Sequence, residues 1–480
     1  MTYSFETLDL LQILPEIFIL SMACIIMVVD LYVSQENRGI TYMLSQFTLV
    51  VAGIIIFLLP TTQAVYAFNN TIVHDQMSDI LKIVVFICTF AVFLYSKEYL
   101  RERDIFKGEF FVLALFSVLG MMILISAHNL LTIYLGLELM SLSLYAMVAL
   151  HRDSSVATEA AMKYFILGAI ASGMLLYGMS LLYGITGSLD LAEINNSLSQ
   201  TDNKLIVAFT IVFLIVGVAF KLGAVPFHMW VPDVYDGAPT AVTIFIGTAP
   251  KLAAFAMLIR LLVDTLGPLH SQWQDILIIL AILSMAVGNI VAIAQVNLKR
   301  MLAYSTISHV GFLLLGVISG TQQGYAASMF YTIVYVVMSL GGFGMILFMS
   351  RAGFEADKLD DLKGLNERSP WFAFVMLVFM FSMAGVPPFL GFWGKWFVLK
   401  EIVSVDLIWL AVVAVLFSVI GAYYYIRIIK IMYFDKAEST DKIISSTDVR
   451  LLLSSNALAV LALGIYPTTL LVICLSAFNV

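Results

Sequence analysis

Residues 276–294 read Ile-Leu-Ile-Ile-Leu-Ala-Ile-Leu-Ser-Met-Ala-Val-Gly-Asn-Ile-Val-Ala-Ile-Ala, nineteen residues without a charge. About 20 apolar residues of α-helix cross a hydrocarbon core about 30 Å thick, so this run is long enough to span a bilayer. The run from Phe110 to Ile125 has the same character. Both are continuous, which excludes a transmembrane β-barrel, whose short strands alternate apolar and polar residues. The rest of the 480-residue chain agrees: it is 61% hydrophobic and 12% charged, against about 45–50% and about 25% in soluble domains. A soluble fold could not cover that much apolar surface. The fold class is all-α, a polytopic membrane protein.

Hydropathy places helices near 11–33, 40–60, 79–97, 108–127, 129–150, 158–183, 205–230, 239–263, 273–294, 302–319, 324–350, 371–399, 405–433 and 450–478, fourteen crossings in all. Lys and Arg in the connecting loops test this count, because cytoplasmic loops retain positive charge. Loops after odd-numbered helices hold fifteen, among them Arg101, Arg152, Arg300, Arg351 and Lys442; loops after even-numbered helices hold only Lys204 and Lys400. The asymmetry implies an even number of crossings with both termini on the non-cytoplasmic side. The N-terminus lacks the basic region and cleavage site of a signal peptide, so the first apolar run is expected to remain as a spanning helix.

Other functions find no support. The net charge of −7 says little when most ionisable groups sit in short loops, and no basic tail suggests nucleic acid. Cys24, Cys88 and Cys474 fall in separate apolar segments, which gives neither a metal motif nor a disulfide framework. The chain has no phosphate-binding loop, no His-Glu-x-x-His and no dinucleotide fingerprint.

Two segments interrupt the apolar pattern at membrane depth: Lys221-Leu-Gly223-Ala-Val-Pro226-Phe227-His228-Met-Trp230 and Gly385-Val-Pro387-Pro388-Phe389-Leu-Gly391-Phe-Trp393-Gly394-Lys395. Both contain Gly-x-x-Pro-Phe. Proline removes a backbone donor and clashes with the preceding turn, so helices seven and twelve should be broken there and should free carbonyls. Broken helices in corresponding parts of two repeats are where transporters build their sites; a passive kink is the bland alternative. Five helices separate the breaks, so the repeats should be five-helix units of inverted orientation. The predicted organisation is residues 1–107 for helices one to three, 108–265 for helices four to eight, 266–440 for helices nine to thirteen and 441–480 for helix fourteen.

Lys221, Lys251 and Lys395 lie well inside these segments, where a charge costs about 2.5–3.5 kcal/mol or more. Lys82, Arg260, Arg427 and Lys430 are close enough to helix ends to snorkel to water. Glu138, deep in helix five, is the carboxylate of the mid-span positions and needs a cation; Lys163 and Lys221 are the candidates. Separating Glu138 from Lys221 would release a proton and rejoining them would recapture one. Lys251 could receive that proton, Lys395 could mark the exit half, and His228 and His309 could bridge at physiological pH, with water between them. The alternatives are packing roles for the histidines, structural ion pairs for the buried lysines and snorkelling for Lys163.

At these positions the sequence resembles a known family, the antiporter-like membrane subunits of proton-pumping NADH:quinone oxidoreductase, respiratory complex I, which also resemble subunits of multisubunit cation/proton antiporters. The resemblance spans nearly the whole chain. It rests on Glu138, on Lys221-Leu-Gly-x-x-Pro-Phe-His228 with Trp230-x-Pro232-Asp233-x-Tyr235-x-Gly237-Ala-Pro239-Thr, on Lys251, on Lys299-Arg300-x-Leu-Ala-Tyr304-Ser305-x-Ile-Ser308-His309-x-Gly311, and on Pro388-x-x-Gly391-Phe-x-Gly394-Lys395. Length and the ending after helix fourteen resemble the smallest of the three large subunits of this kind. The resemblance implies that Glu138, Lys221, Lys251 and Lys395 translocate protons, that Lys163 belongs to the same relay, and that FMN, iron–sulfur clusters and quinone are bound by other subunits and not by this chain. It further implies subunit M as neighbour on one side and the small membrane subunits on the other. A cation/proton antiporter subunit or a structural scaffold would be the rival readings.

Overall fold

The structure is a computed structural model and describes residues 7–61, 63–198, 204–350, 354–437, 443 and 445–478. Among these, thirteen helices are long and apolar enough to cross a membrane. The fourteenth crossing, twelfth in chain order, is made of two helices of fifteen residues, Pro370–Ala384 and Leu390–Ser404, neither long enough alone. The chain is thus a multi-pass helical membrane protein, and a short hairpin of Val65–Ala67 with Ile72–His74 is its one sheet among the described residues. Arg351 and Lys442, two of the loop cations counted above, lie outside the described residues.

The breaks fall at the two Gly-x-x-Pro-Phe sites. The seventh span, Lys204–Leu222, stops before Gly223 and resumes as the half-helix Trp230–Gly237. Gly223 and Gly385 have φ of 84° and 87°, a left-handed conformation that a Cβ disfavours. Each break also holds a cis peptide bond, Val225–Pro226 and Pro387–Pro388.

Close packing repeats as well. The fourth and fifth spans, Gly108–Ile125 and Leu130–Val148, meet at Gly120 and Gly136; the ninth and tenth, Gly267–Ile293 and Leu298–Ile318, meet at Gly288 and Gly311. A Cβ on Gly136 would sit 2.7 Å from the Leu124 nitrogen, and one on Gly311 2.6 Å from Met285 Cγ. Small residues let helix backbones approach where lipid supplies no hydrophobic drive between helices. Each half therefore opens on a glycine-packed pair and places its broken helix two spans later.

The eighth span departs from the sequence expectation of one continuous helix. It consists of Thr240–Ile246 and Ala249–Leu258, interrupted at Gly247 and Thr248, and ends in a π-helical segment, Ile259–Thr265. Pro250 in the first turn of the second piece is tolerated because no intrahelical donor is needed there.

Snorkelling also fails for two of the four cations assigned to it. The Lys82 side chain is 2% exposed and lies 2.5 Å from Glu16 of the first span. Arg260 is buried between Asp75, at 2.7 Å, and Asp264, at 3.1 Å, and also donates to the Ile125 carbonyl. Asp75 at the same time caps the third span, Gln76–Glu102, by accepting from the Ser78 amide. Carboxylates from other elements reach these cations first. Arg427 and Lys430 do lie at a helix end, Lys430 with its side chain 60% exposed.

Burial alone would push the Asp75 carboxyl up, but Arg260 and Ser78 hold it below the ordinary carboxylate value. A depressed folded-state pKa contributes stability that is complete above the unfolded value near 3.9 and disappears as pH falls through the lower folded value. Removing one partner of a buried pair costs about 3–5 kcal/mol. Arg260→Gln should lower the melting temperature of the detergent-solubilised protein at pH 7 by a matching amount, with the deficit shrinking below pH 4; an unchanged melting temperature contradicts the assignment.

Candidate functional site

The fifth span presents Glu138 and Ser141, three residues apart and so on one face of the helix. Across from them the sixth span, Ser155–Thr186, supplies Ser172, and the end of the seventh supplies Lys221. These four side chains line one small pocket with Tyr145 and Phe220. Ser172 Oγ donates to Glu138 Oε1. Lys221 Nζ donates to Ser141 Oγ at 2.7 Å, and the Ser141 hydroxyl in turn donates a hydrogen bond to the Leu137 carbonyl. Glu138 and Lys221 therefore share a cavity without a direct ion pair; the carboxylate and the ammonium each rest on a hydroxyl.

Lys251 lies one turn beyond the interruption of the eighth span. Its Nζ donates at 2.7 Å to the carbonyl of Leu222, the residue before Gly223. Lys395 does the same at the other break: its Nζ donates at 2.9 Å to the carbonyl of Ala384, the residue before Gly385, and at 2.9 Å to Ser418 Oγ. Both lysines are buried. Each break thus frees a carbonyl in hydrocarbon, and a lysine occupies it. In bonding the carbonyl before its break Lys395 resembles Lys251, although Lys395 lies on the broken helix itself and Lys251 on the span that follows one. Ring faces complete both cation sites, Trp230 at 5.4 Å from Lys251 Nζ and Phe312 at 5.0 Å from Lys395 Nζ.

Between the two lysines runs a set of hydroxyls. Tyr335 of the eleventh span, Gln322–Met349, donates to the Gly247 carbonyl at the interruption of the eighth span and bonds Thr306 at 2.7 Å. One turn on, His309 is held at Nδ1 by Tyr331, 2.6 Å away, and at Nε2 by Tyr425, 3.1 Å away, while Tyr425 also bonds Ser305. Phe312 stacks on Tyr331 and faces Lys395. The hydroxyls here can donate and accept at one oxygen, and His309 can take a proton at one ring nitrogen and release it from the other, which is what a relay needs.

The structure brings Glu138 with Lys221, Lys251 with the first break, and His309 with Lys395 through Phe312. It separates two others. Lys163 is 43% exposed and pairs with Glu159 and Asp233 at 2.9 Å each, not with Glu138. His228 sits half-buried in the first break with Nδ1 buried and unbonded. Sequence reading missed Ser141, Ser172, Tyr331, Tyr335, Tyr425 and Ser418. Tyr331 and Tyr335, four residues apart in a span with no charged residue, carried a weak signal.

A profile of the family described as NADH:quinone oxidoreductase/Mrp antiporter, TM, matches residues 127–421. NADH-quinone oxidoreductase subunit N of Thioalkalivibrio sulfidiphilus is 61% identical over 99% of this chain and 100% of its own length. A chain of respiratory complex I from Thermus thermophilus with bound aureothin superposes with a TM-score of 0.82 at 30% identity, covering 95% of this chain and 98% of that one. A chain of the Mrp complex from Dietzia shares the fold, with a TM-score of 0.83 at 19% identity over 99% of this chain and 97% of that one.

A Cβ on Gly385 would lie 2.9 Å from Lys395 Cδ, and the left-handed φ adds backbone strain of about 1–3 kcal/mol. Gly385→Ala should lower the melting temperature and displace Lys395 from the Ala384 carbonyl. A variant structure with both that bond and the melting temperature unchanged contradicts the close fit.

Proposed function

This chain belongs to the NADH:quinone oxidoreductase/Mrp antiporter membrane family, and we propose that it serves as the N-type, proton-translocating membrane subunit of an NADH:quinone oxidoreductase. The observation that carries the reading is the file of buried Lys221, Lys251, His309 and Lys395 with half-buried Glu138 at its head, each on a named hydroxyl or carbonyl. Ionisable groups are too costly in hydrocarbon to be spread along a membrane plane without a use.

Lys221 starts protonated beside the carboxylate of Glu138. When change elsewhere in the complex draws Glu138 away, the counter-charge that makes an ammonium tolerable in the membrane is lost, and the proton moves toward Lys251. Lys251, neutral before the transfer, takes the proton on Nζ and loosens its hold on the Leu222 carbonyl only when it passes that proton on. Tyr335 with Thr306, and His309 between Tyr331 and Tyr425, carry the proton onward to Lys395, with water closing the distances that no direct hydrogen bond spans. His228 is the reserve acceptor at the first break. The return of Glu138 resets the cycle.

Redox chemistry belongs to other subunits in this reading: FMN, iron–sulfur clusters and quinone would be bound there, and this chain would hold none. Its partners would be subunit M on one side, the small membrane subunits on the other, and the surrounding lipid. The 15 to 2 distribution of loop cations supports a bacterial inner-membrane protein with both termini on the non-cytoplasmic side.

A positioned acid or base contributes about 10²–10⁴-fold, so Lys221→Ala and Glu138→Ala should each cut NADH-driven proton uptake by the assembled complex to about a tenth or less of the parent rate. Lys163→Ala and Lys400→Ala should be milder. Uptake by inverted vesicles, normalised to assembled complex, reads this out. Intact pumping in the first pair would favour a scaffold, and co-purification with other antiporter subunits plus sodium-dependent exchange would favour the antiporter reading.

A further inference from the structure

One group of charges lies beside the file and is not used by it. Asp233 sits on the half-helix that follows the first break, and its two carboxylate oxygens are taken by cations from different helices. Lys163 Nζ is 2.9 Å from Oδ2 and Arg300 is 2.9 Å from Oδ1. Glu159 also pairs with Lys163, at 2.9 Å, and Asp236 with Arg300, at 3.7 Å. Lys163 belongs to the sixth span, whose Ser172 holds Glu138; Arg300 belongs to the tenth, whose His309 sits between the tyrosines. A single carboxylate therefore ties a helix of the first half to a helix of the second.

The same half-helix carries Trp230, three residues before Asp233 and on the same face. The Trp230 ring stacks on Tyr164 with centroids 4.5 Å apart and planes 10° apart, and it faces Lys251 Nζ at 5.4 Å. Tyr164 in turn lies 5.8 Å from Lys221 Nζ. Whatever fixes the half-helix fixes the ring wall between Lys221 and Lys251. Counting from the break glycines, Asp233 follows Gly223 by ten residues, as Lys395 follows Gly385 by ten (233 − 223 = 395 − 385). The two broken helices thus carry a polar group at the same register: an anion that ties helices together at the edge of the file in the first, a cation inside the file in the second.

We propose that Asp233 is a positioning residue for proton transfer: by sharing its carboxylate between Lys163 and Arg300 it holds the half-helix Trp230–Gly237 in register with both halves, and Lys163 acts through Asp233 and not as the partner of Glu138. The proposal rests on the proton-relay reading above. Exposed ion pairs add little stability, so the effect is on the placement of Trp230 and not on folding.

The test uses the whole complex in inverted membrane vesicles and reads protons taken up per NADH oxidised, with assembled complex quantified on native gels. Asp233→Asn and Lys163→Gln should each lower the ratio by about 2- to 10-fold, and the double variant should be no worse than Asp233→Asn alone, because that change already removes the Lys163 pair. Asp233→Glu and Lys163→Arg, which keep the charges, should recover most of the loss. The Lys163→Gln and Lys163→Arg comparison stands by itself if Asp233→Asn does not assemble. The proposal is overturned if the Asp233→Asn and Lys163→Gln losses multiply, if either variant pumps at the parental ratio, or if Lys163→Arg is as defective as Lys163→Gln. A Lys221→Ala control separates the two levels: if it pumps normally the relay itself fails, whereas if it alone loses pumping only the role of Asp233 falls.

Discussion

Hydrocarbon offers no hydrogen bonds, so backbone groups freed inside this protein must be answered by the chain or by water within it. The two Gly-x-x-Pro-Phe breaks pose that demand most sharply, because each frees a backbone carbonyl at membrane depth. Lys251 answers the Leu222 carbonyl and Lys395 answers the Ala384 carbonyl. Neither side of the bargain is stable alone: a lone ammonium and a lone carbonyl are both costly there. Breaks and lysines account for each other, and the remaining polar groups are arranged around that exchange.

In the proposed relay this arrangement would work as a two-state one. A lysine bonded to a single carbonyl and a ring face can let go when its charge changes, and the helix on either side of the break can then move. The eighth span is divided at Gly247 and Thr248 just before Lys251, and Tyr335 holds the carbonyl at that point. The charge on Lys251 is therefore coupled to the junction of two half-helices, and through Thr306 to the tenth span, which carries His309. Coupling between distant sites needs an element of this kind that both can bias.

Much of this was legible in the sequence. The apolar runs set the number of crossings, and Gly with Pro inside two of them marked the broken helices, because those residues oppose helix locally whatever surrounds them. The buried lysines and Glu138 were visible as charges where hydrocarbon forbids charge. Partners were not. Lys163 is seventy residues from Asp233 in the chain, and Glu16 closes on Lys82 from another helix, so a one-dimensional reading offers Lys163 beside Lys221 as a candidate for Glu138, with snorkelling as the alternative, and sends Lys82 to the interface. The tyrosines around His309 were hidden for a different reason: in an apolar span, Tyr reads as bulk, and only packing shows where its hydroxyl points. The interruption of the eighth span was missed because Pro250 is compatible with the first turn of a helix, and nothing nearby marked that a second helix began there.

The most direct test of a proton file is a structure of the assembled complex at a resolution that shows ordered water. Proton transfer along the membrane plane requires density linking Lys221 to Lys251, Lys251 to the Tyr335 hydroxyl, and His309 to Lys395 in at least one state of the cycle. Close-packed apolar side chains separating these groups in every state would contradict it.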